Sequence, residues 1–137
     1  MRNLTFVLIA VLAFAFASCS SKNYPDADWA NRQWTLVEIM KIPVQTSGSE
    51  DDAHLVFDSR GKTFSGSGGC NRIFGPYEIG DKQTFKFGEV GATRMACQDL
   101  PFENKFLETL KSVRYYQLSA GELLLKNGAK DVILKFQ

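Results

Sequence analysis

Short stretches of strand-forming residues recur along this chain at about the 8 to 12 residue spacing of small barrels and sandwiches, and a single stretch breaks the pattern with a helical period. Trp34 to Met40 alternates Leu36, Glu38 and Met40 with Val37 and Ile39 and stops at Pro43, so it reads as a first strand. Gln45 to Asp52 is polar and acidic and reads as an exposed loop. His54 to Asp58 and Lys62 to Ser67 form a hairpin across Asp58-Ser59-Arg60-Gly61, with Gly61 expected to take the positive φ of the turn. Ile73 to Ile79 and Thr84 to Phe87 follow, joined at Gly80-Asp81-Lys82. The period then changes. Phe102, Phe106, Leu107, Leu110 and Val113 share one helical face, Asp99 is placed to cap it and Pro101 sits in its first turn. Val113 to Leu118, Glu122 to Lys126 and Asp131 to Phe136 are closing strands. The expected fold is α+β and mainly antiparallel β: a small sheet curled into a barrel with one packed helix.

The N-terminus carries a different kind of information. Arg2, the apolar run from Leu4 to Phe16 and the small residues Ala17-Ser18 are the three parts of a secretory signal in order. The run is shorter than the roughly 20 residues a membrane span needs. Cys19 directly after the small residues is the thiol that a bacterial lipoprotein pathway acylates, with Phe16 standing where that pattern prefers Leu. Residues 1–18 therefore read as a lipoprotein signal, 19–31 as a polar tether and 32–137 as one domain. Two or three acyl chains, each methylene contributing about 0.8 kcal/mol, would hold Cys19 at a membrane. Ser20 after the cysteine favours the outer membrane facing the periplasm, with surface exposure an open alternative.

Charge and cysteine content narrow the function classes. Sixteen Lys and Arg face fifteen Asp and Glu, and removing Arg2 with the signal leaves the mature chain balanced. Such a chain lacks the clustered positive charge that nucleic-acid binding rests on. With Cys19 assigned to lipid, Cys70 and Cys97 remain as an even pair in an oxidising compartment, where a disulfide is the leading reading and two buried free thiols the alternative.

No catalytic constellation stands out. Gly66-Ser67-Gly68-Gly69-Cys70-Asn71 lacks the Lys-Ser/Thr of a phosphate loop and reads as a tight bend where another element comes close. His54 is the only histidine, so multi-histidine metal sites are excluded and a cysteine–histidine dyad would depend on this one residue. The Glu50-Asp51-Asp52 cluster lacks the ligand spacing of a calcium loop. Neither a metal nor a cofactor is expected. Arg72 and Arg94 adjoin the two cysteines, so a Cys70–Cys97 contact would bring two guanidinium groups into one neighbourhood, a possible anion or partner contact. Aromatic residues on the strands, Phe57, Phe64, Phe74, Phe85 and Phe87, could line an interior for an acyl ligand, or simply pack as core.

Trp34-Thr35-Leu36, Phe64-Ser65-Gly66, the run from Gly69-Cys70-Asn71-Arg72 to Tyr77, Thr93-Arg94-Met95-Ala96-Cys97 and the Phe102 to Leu110 segment together resemble the META domain of HslJ-like envelope lipoproteins. The resemblance runs from about Trp34 to Phe136. It implies antiparallel strands with one helix, similar to the cracked barrel of secretin pilotins, with no established enzyme activity and links to stress tolerance, secretion or virulence. Its cysteine positions fall on Cys70 and Cys97, which strengthens a structural role for them. The expected function is a non-catalytic, lipid-anchored interaction module, monomeric, with an envelope protein as partner; carriage of a small apolar ligand is the alternative.

Overall fold

A computed structural model describes residues 29–137. The signal segment, Cys19 and most of the tether lie outside the described residues. Ten strands and one α-helix follow in chain order: β1 (Gln33–Ile39), β2 (Ile42–Pro43), β3 (His54–Asp58), β4 (Thr63–Ser67), β5 (Arg72–Ile79), a 3-10 turn (Asp81–Gln83), β6 (Phe85–Phe87), β7 (Gly91–Ala92), α1 (Leu100–Lys111), β8 (Tyr115–Ser119), β9 (Glu122–Lys126) and β10 (Val132–Phe136). Each pairing is antiparallel, in the order β6-β5-β4-β3-β1-β10-β9-β8, with β2 added to β1 and β7 to β5.

β1 joins the two halves of the sheet. Gln33 to Thr35 pair with β3, and Leu36 to Ile39 pair with β10 on the opposite edge. The sheet curls until its outer strands meet at one place, where Phe85 N–H donates to the Arg114 carbonyl at 2.8 Å and Thr84 bridges Tyr115. The result is an open curled sheet with one packed helix, as the strand pattern anticipated. Its regular alternation explains the core: Leu55 and Phe57 of β3, Phe64 of β4 and Ile73 and Tyr77 of β5 all face inward and are at most 2% exposed.

The helix is held by its inward face. Phe106 and Leu110 are fully buried, and each such side chain contributes roughly 1.5 to 3 kcal/mol. That is enough to stabilise a 12-residue helix that would be marginal alone. Asp99 occupies the N-cap position without a side-chain cap bond, and its carbonyl accepts the Glu103 N–H at 3.1 Å.

Several sequence expectations are corrected. Lys62, with φ 51°, takes the left-handed position of the β3–β4 turn in place of Gly61, because the Asp58 carboxylate accepts the Arg60 and Gly61 N–H groups and sets the turn one residue later. Short strands β2 and β7 were too brief to show any alternation. Trp29, in the stretch read as tether, is 1% exposed. Its ring lies 4.8 Å from Phe57, 5.7 Å from Tyr77 and 6.1 Å from Tyr116, and its carbonyl accepts the Trp34 indole N–H at 2.7 Å. The packed domain thus includes residues ahead of 32. Phe57, Phe64, Phe85 and Phe87 are packed ring against ring, whereas Phe74 points outward and is 52% exposed. The four packed rings fill the interior.

Candidate functional site

The glycine-rich bend between β4 and β5 is shaped by what lies against it. A Cβ on Gly66 would strike the His54 carbonyl, and one on Gly68 would come within 2.6 Å of a Glu103 carboxylate oxygen. Gly69 has φ +102° and faces the Phe102 ring, so the first turn of α1 closes directly on the bend. Glu103 is only 3% exposed, and its charge is met by three donors: the Asn71 backbone N–H at 2.6 Å, the Asn71 side-chain amide at 2.7 Å and the Cys70 N–H at 3.3 Å. The other end of the Asn71 amide faces the 93–97 segment, where its oxygen accepts the Met95 N–H at 2.6 Å and the Thr93 hydroxyl at 3.1 Å. One buried Asn–Glu pair therefore ties β5, α1 and the segment after β7 together.

A covalent tie reinforces the hydrogen-bonded one. Cys70 and Cys97 are joined as a disulfide, with Cα atoms 6.1 Å apart. In this state neither thiol is available as a nucleophile or metal ligand. Closing a loop over a sequence separation of 27 removes unfolded-state entropy equivalent to about 3.5 kcal/mol. Reduction, or the paired change Cys70→Ala with Cys97→Ala, is expected to lower unfolding stability by about 3 kcal/mol. Urea titration with and without reductant measures this, and coincident midpoints would show that the bond adds no stability.

Beside this frame lies an open groove of about 620 Å³. Ile39, Ile42, Pro43, Val44 and Phe102 provide apolar lining, and Asp51, Asp52, Asp99 and Lys105 provide charge at its margins. Its outer wall is the 45–52 loop, which Asp52 organises: the carboxylate accepts the Ser47 N–H at 2.9 Å, the Gly48 N–H at 2.7 Å and the Ser47 hydroxyl at 2.9 Å. Those bonds, the Ser47 N–H first, hold the Asp52 pKa below its ordinary value of 3.8. A depressed folded pKa means the loop is stabilised above the unfolded pKa and loses that support as pH falls through the folded one. The Ser47 and Gly48 amide NMR shifts are therefore expected to titrate with a midpoint below 3.8, and Asp52→Asn should abolish the transition.

The structure gathers some of the residues singled out from sequence. His54 Nδ1–H donates to the Asp52 carbonyl at 2.8 Å and helps seat the acidic loop. The backbone of Arg94 lies beside that of Arg72 because its neighbour Thr93 pairs there: the Thr93 N–H donates to the Arg72 carbonyl at 3.0 Å, and the Thr93 hydroxyl accepts the Arg72 N–H at 3.1 Å. Both arginines are exposed, and neither guanidinium has an ion-pair partner among the described residues. No group of three or more His, Cys, Asp or Glu among the described residues is placed to hold a metal. Glu103 and the groove are additions of the structure; the only sequence hint of Glu103 is an acid between Phe102 and Phe106, at the margin of an apolar helical face.

The family model of the META domain matches residues 27–137. The chain belongs to the META domain family. The matched span takes in Trp29, in agreement with its place in the core of this META domain. Among solved structures, the META chain is similar to an NMR structure of a protein from Burkholderia xenovorans, at 27% identity and a TM-score of 0.58 over 80% of this chain and 82% of that one. It is also similar in fold to a DUF4847 family protein from Bacteroides vulgatus, at 19% identity and a TM-score of 0.59 over 82% and 95% of the respective chains. A further NMR structure aligns at 21% identity with a TM-score of 0.62, covering 81% of this chain and 92% of that chain. No curated protein matches the chain.

Proposed function

We propose that this META domain is a non-catalytic binding module of the bacterial cell envelope, tethered by lipid on Cys19 at the outer membrane and facing the periplasm, and that it receives a segment of an envelope protein in the groove beside α1. The observation that carries the reading is the groove itself, with an apolar lining, a charged margin and walls braced by the Cys70–Cys97 disulfide and the Asn71–Glu103 pair. Such a shape suits an extended segment with apolar side chains, which gains most from a site that loses little freedom on binding. The aromatic side chains that would line an acyl site pack against one another, which favours the groove over carriage of an acyl chain.

The test is a photo-crosslinking residue at Ile42 in the full-length chain, examined in its own envelope. A discrete protein adduct is expected from that position, lost on Lys105→Glu and absent when the crosslinker sits at Lys62 in the distant β3–β4 turn. Identical adducts from Ile42 and Lys62 would sink the assignment.

A further inference from the structure

We propose that Arg72, Phe74, Arg94 and Met95 form a face that seats the folded domain directly on an anionic lipid surface. Phe74 and Met95 are 52% and 55% exposed, two of the four large hydrophobics that stand clear of the core among the described residues. They are held there. The Phe74 ring lies so close over Gly91 that a Cβ on Gly91 would come within 2.5 Å of it, and the Met95 N–H is fixed by Asn71. Arg72 sits two residues before Phe74 on the same face of β5, and the backbone that carries the exposed Arg94 and Met95 is fastened beside the start of β5, through the Thr93 N–H on the Arg72 carbonyl and the Met95 N–H on the Asn71 side-chain oxygen. The two ion pairs among the described residues, Lys111–Glu108 and Lys135–Glu38, use neither arginine.

The combination selects the ligand. A free anion would engage the guanidinium groups and leave Phe74 and Met95 in water. A bilayer interface uses both kinds of side chain at once: arginine heads meet phosphates while their stems, an aromatic ring and a thioether enter the acyl boundary. The chain ahead of the described residues permits the contact. Cys19 lies ten positions before Trp29 in sequence, a reach of at most about 35 Å, and Trp29 packs on Tyr77, about 17 Å along β5 from Arg72. This face is separate from the groove and its partner. The reach rests on lipid at Cys19, but the test does not.

The mature chain with Cys19→Ser, which retains every described residue, is sedimented with vesicles of phosphatidylcholine alone or mixed with phosphatidylglycerol. Binding to the anionic vesicles only, weakening with salt, is expected. Arg72→Gln with Arg94→Gln should lower partitioning about 30-fold. Phe74→Ser with Met95→Ser should lower it at least tenfold, while Lys105→Glu leaves it unchanged. Unchanged melting of each variant shows that the fold is intact. Equal binding to both vesicle types, no binding, or a loss confined to the arginine pair would overturn the proposal, the last because it would mean attraction of charge without seating.

Discussion

Glu103→Ala is expected to lower the melting temperature by roughly 12 to 20 °C, a cost of about 3 kcal/mol in a domain of this size. The cost comes from what the carboxylate leaves behind. Its removal strands the Cys70 and Asn71 N–H groups and one side-chain amide of Asn71, itself only 3% exposed, and water cannot freely replace the lost acceptor. The effect should spread to the 93–97 segment, because the same Asn71 amide orients its oxygen toward Met95 and Thr93. Glu103→Gln keeps the shape and one carbonyl oxygen, so an intermediate loss is expected. A second variant isolates the packing. Gly68→Ala should destabilise the wild-type chain, since its Cβ would lie 2.6 Å from Glu103, yet cost little in the Glu103→Ala background, where that space is open. Thermal unfolding of the four chains in a double-mutant cycle measures the coupling; strictly additive losses would show that the bend does not depend on Glu103.

This bend also marks the boundary of what the sequence makes legible. Strands with inward and outward alternation, such as Leu55-Val56-Phe57 or Ile73-Phe74-Gly75, declare themselves because a half-buried strand imposes a period of two on composition. The helix declares itself through Phe106 and Leu110. The glycine run betrayed a close approach, and nothing local says that the approaching group is Glu103, more than thirty residues later in sequence. A buried acid has no periodic signature, because its position is decided by the donors that happen to converge on it. The groove is equally silent: Ile42 and Phe102 come from elements far apart in sequence, and Pro43, which suggests a strand's end, instead lies in the short strand β2. Phe74 shows the opposite failure. Its residue type argues for core, while its register on β5 turns it outward, beside Arg72.

Trp29→Ala in the mature chain is expected to cost about 3 to 5 kcal/mol, the usual range for truncating a large buried aromatic ring. The ring closes the end of the sheet where Phe57, Tyr77, Phe85 and Tyr116 converge, and its loss leaves a cavity that four rings fixed on separate strands cannot collapse to fill. A chain beginning at Arg32, where composition alone would place the domain start, should fare worse still. It loses the same ring, the Trp29 carbonyl that accepts the buried Trp34 indole N–H and the Asn31 N–H that donates to the Phe57 carbonyl. Stranding the indole donor adds roughly 1 to 3 kcal/mol. The comparison therefore separates two contributions: Trp29→Ala measures the packing of the ring, and the further drop on deletion measures the backbone it carries. Denaturant titration of chains starting at Ala27 and at Arg32, alongside Trp29→Ala in the longer one, gives both. Equal stability of the two starts would mean that Trp29 packs without supporting the fold, and that residues 29–31 belong to the tether after all.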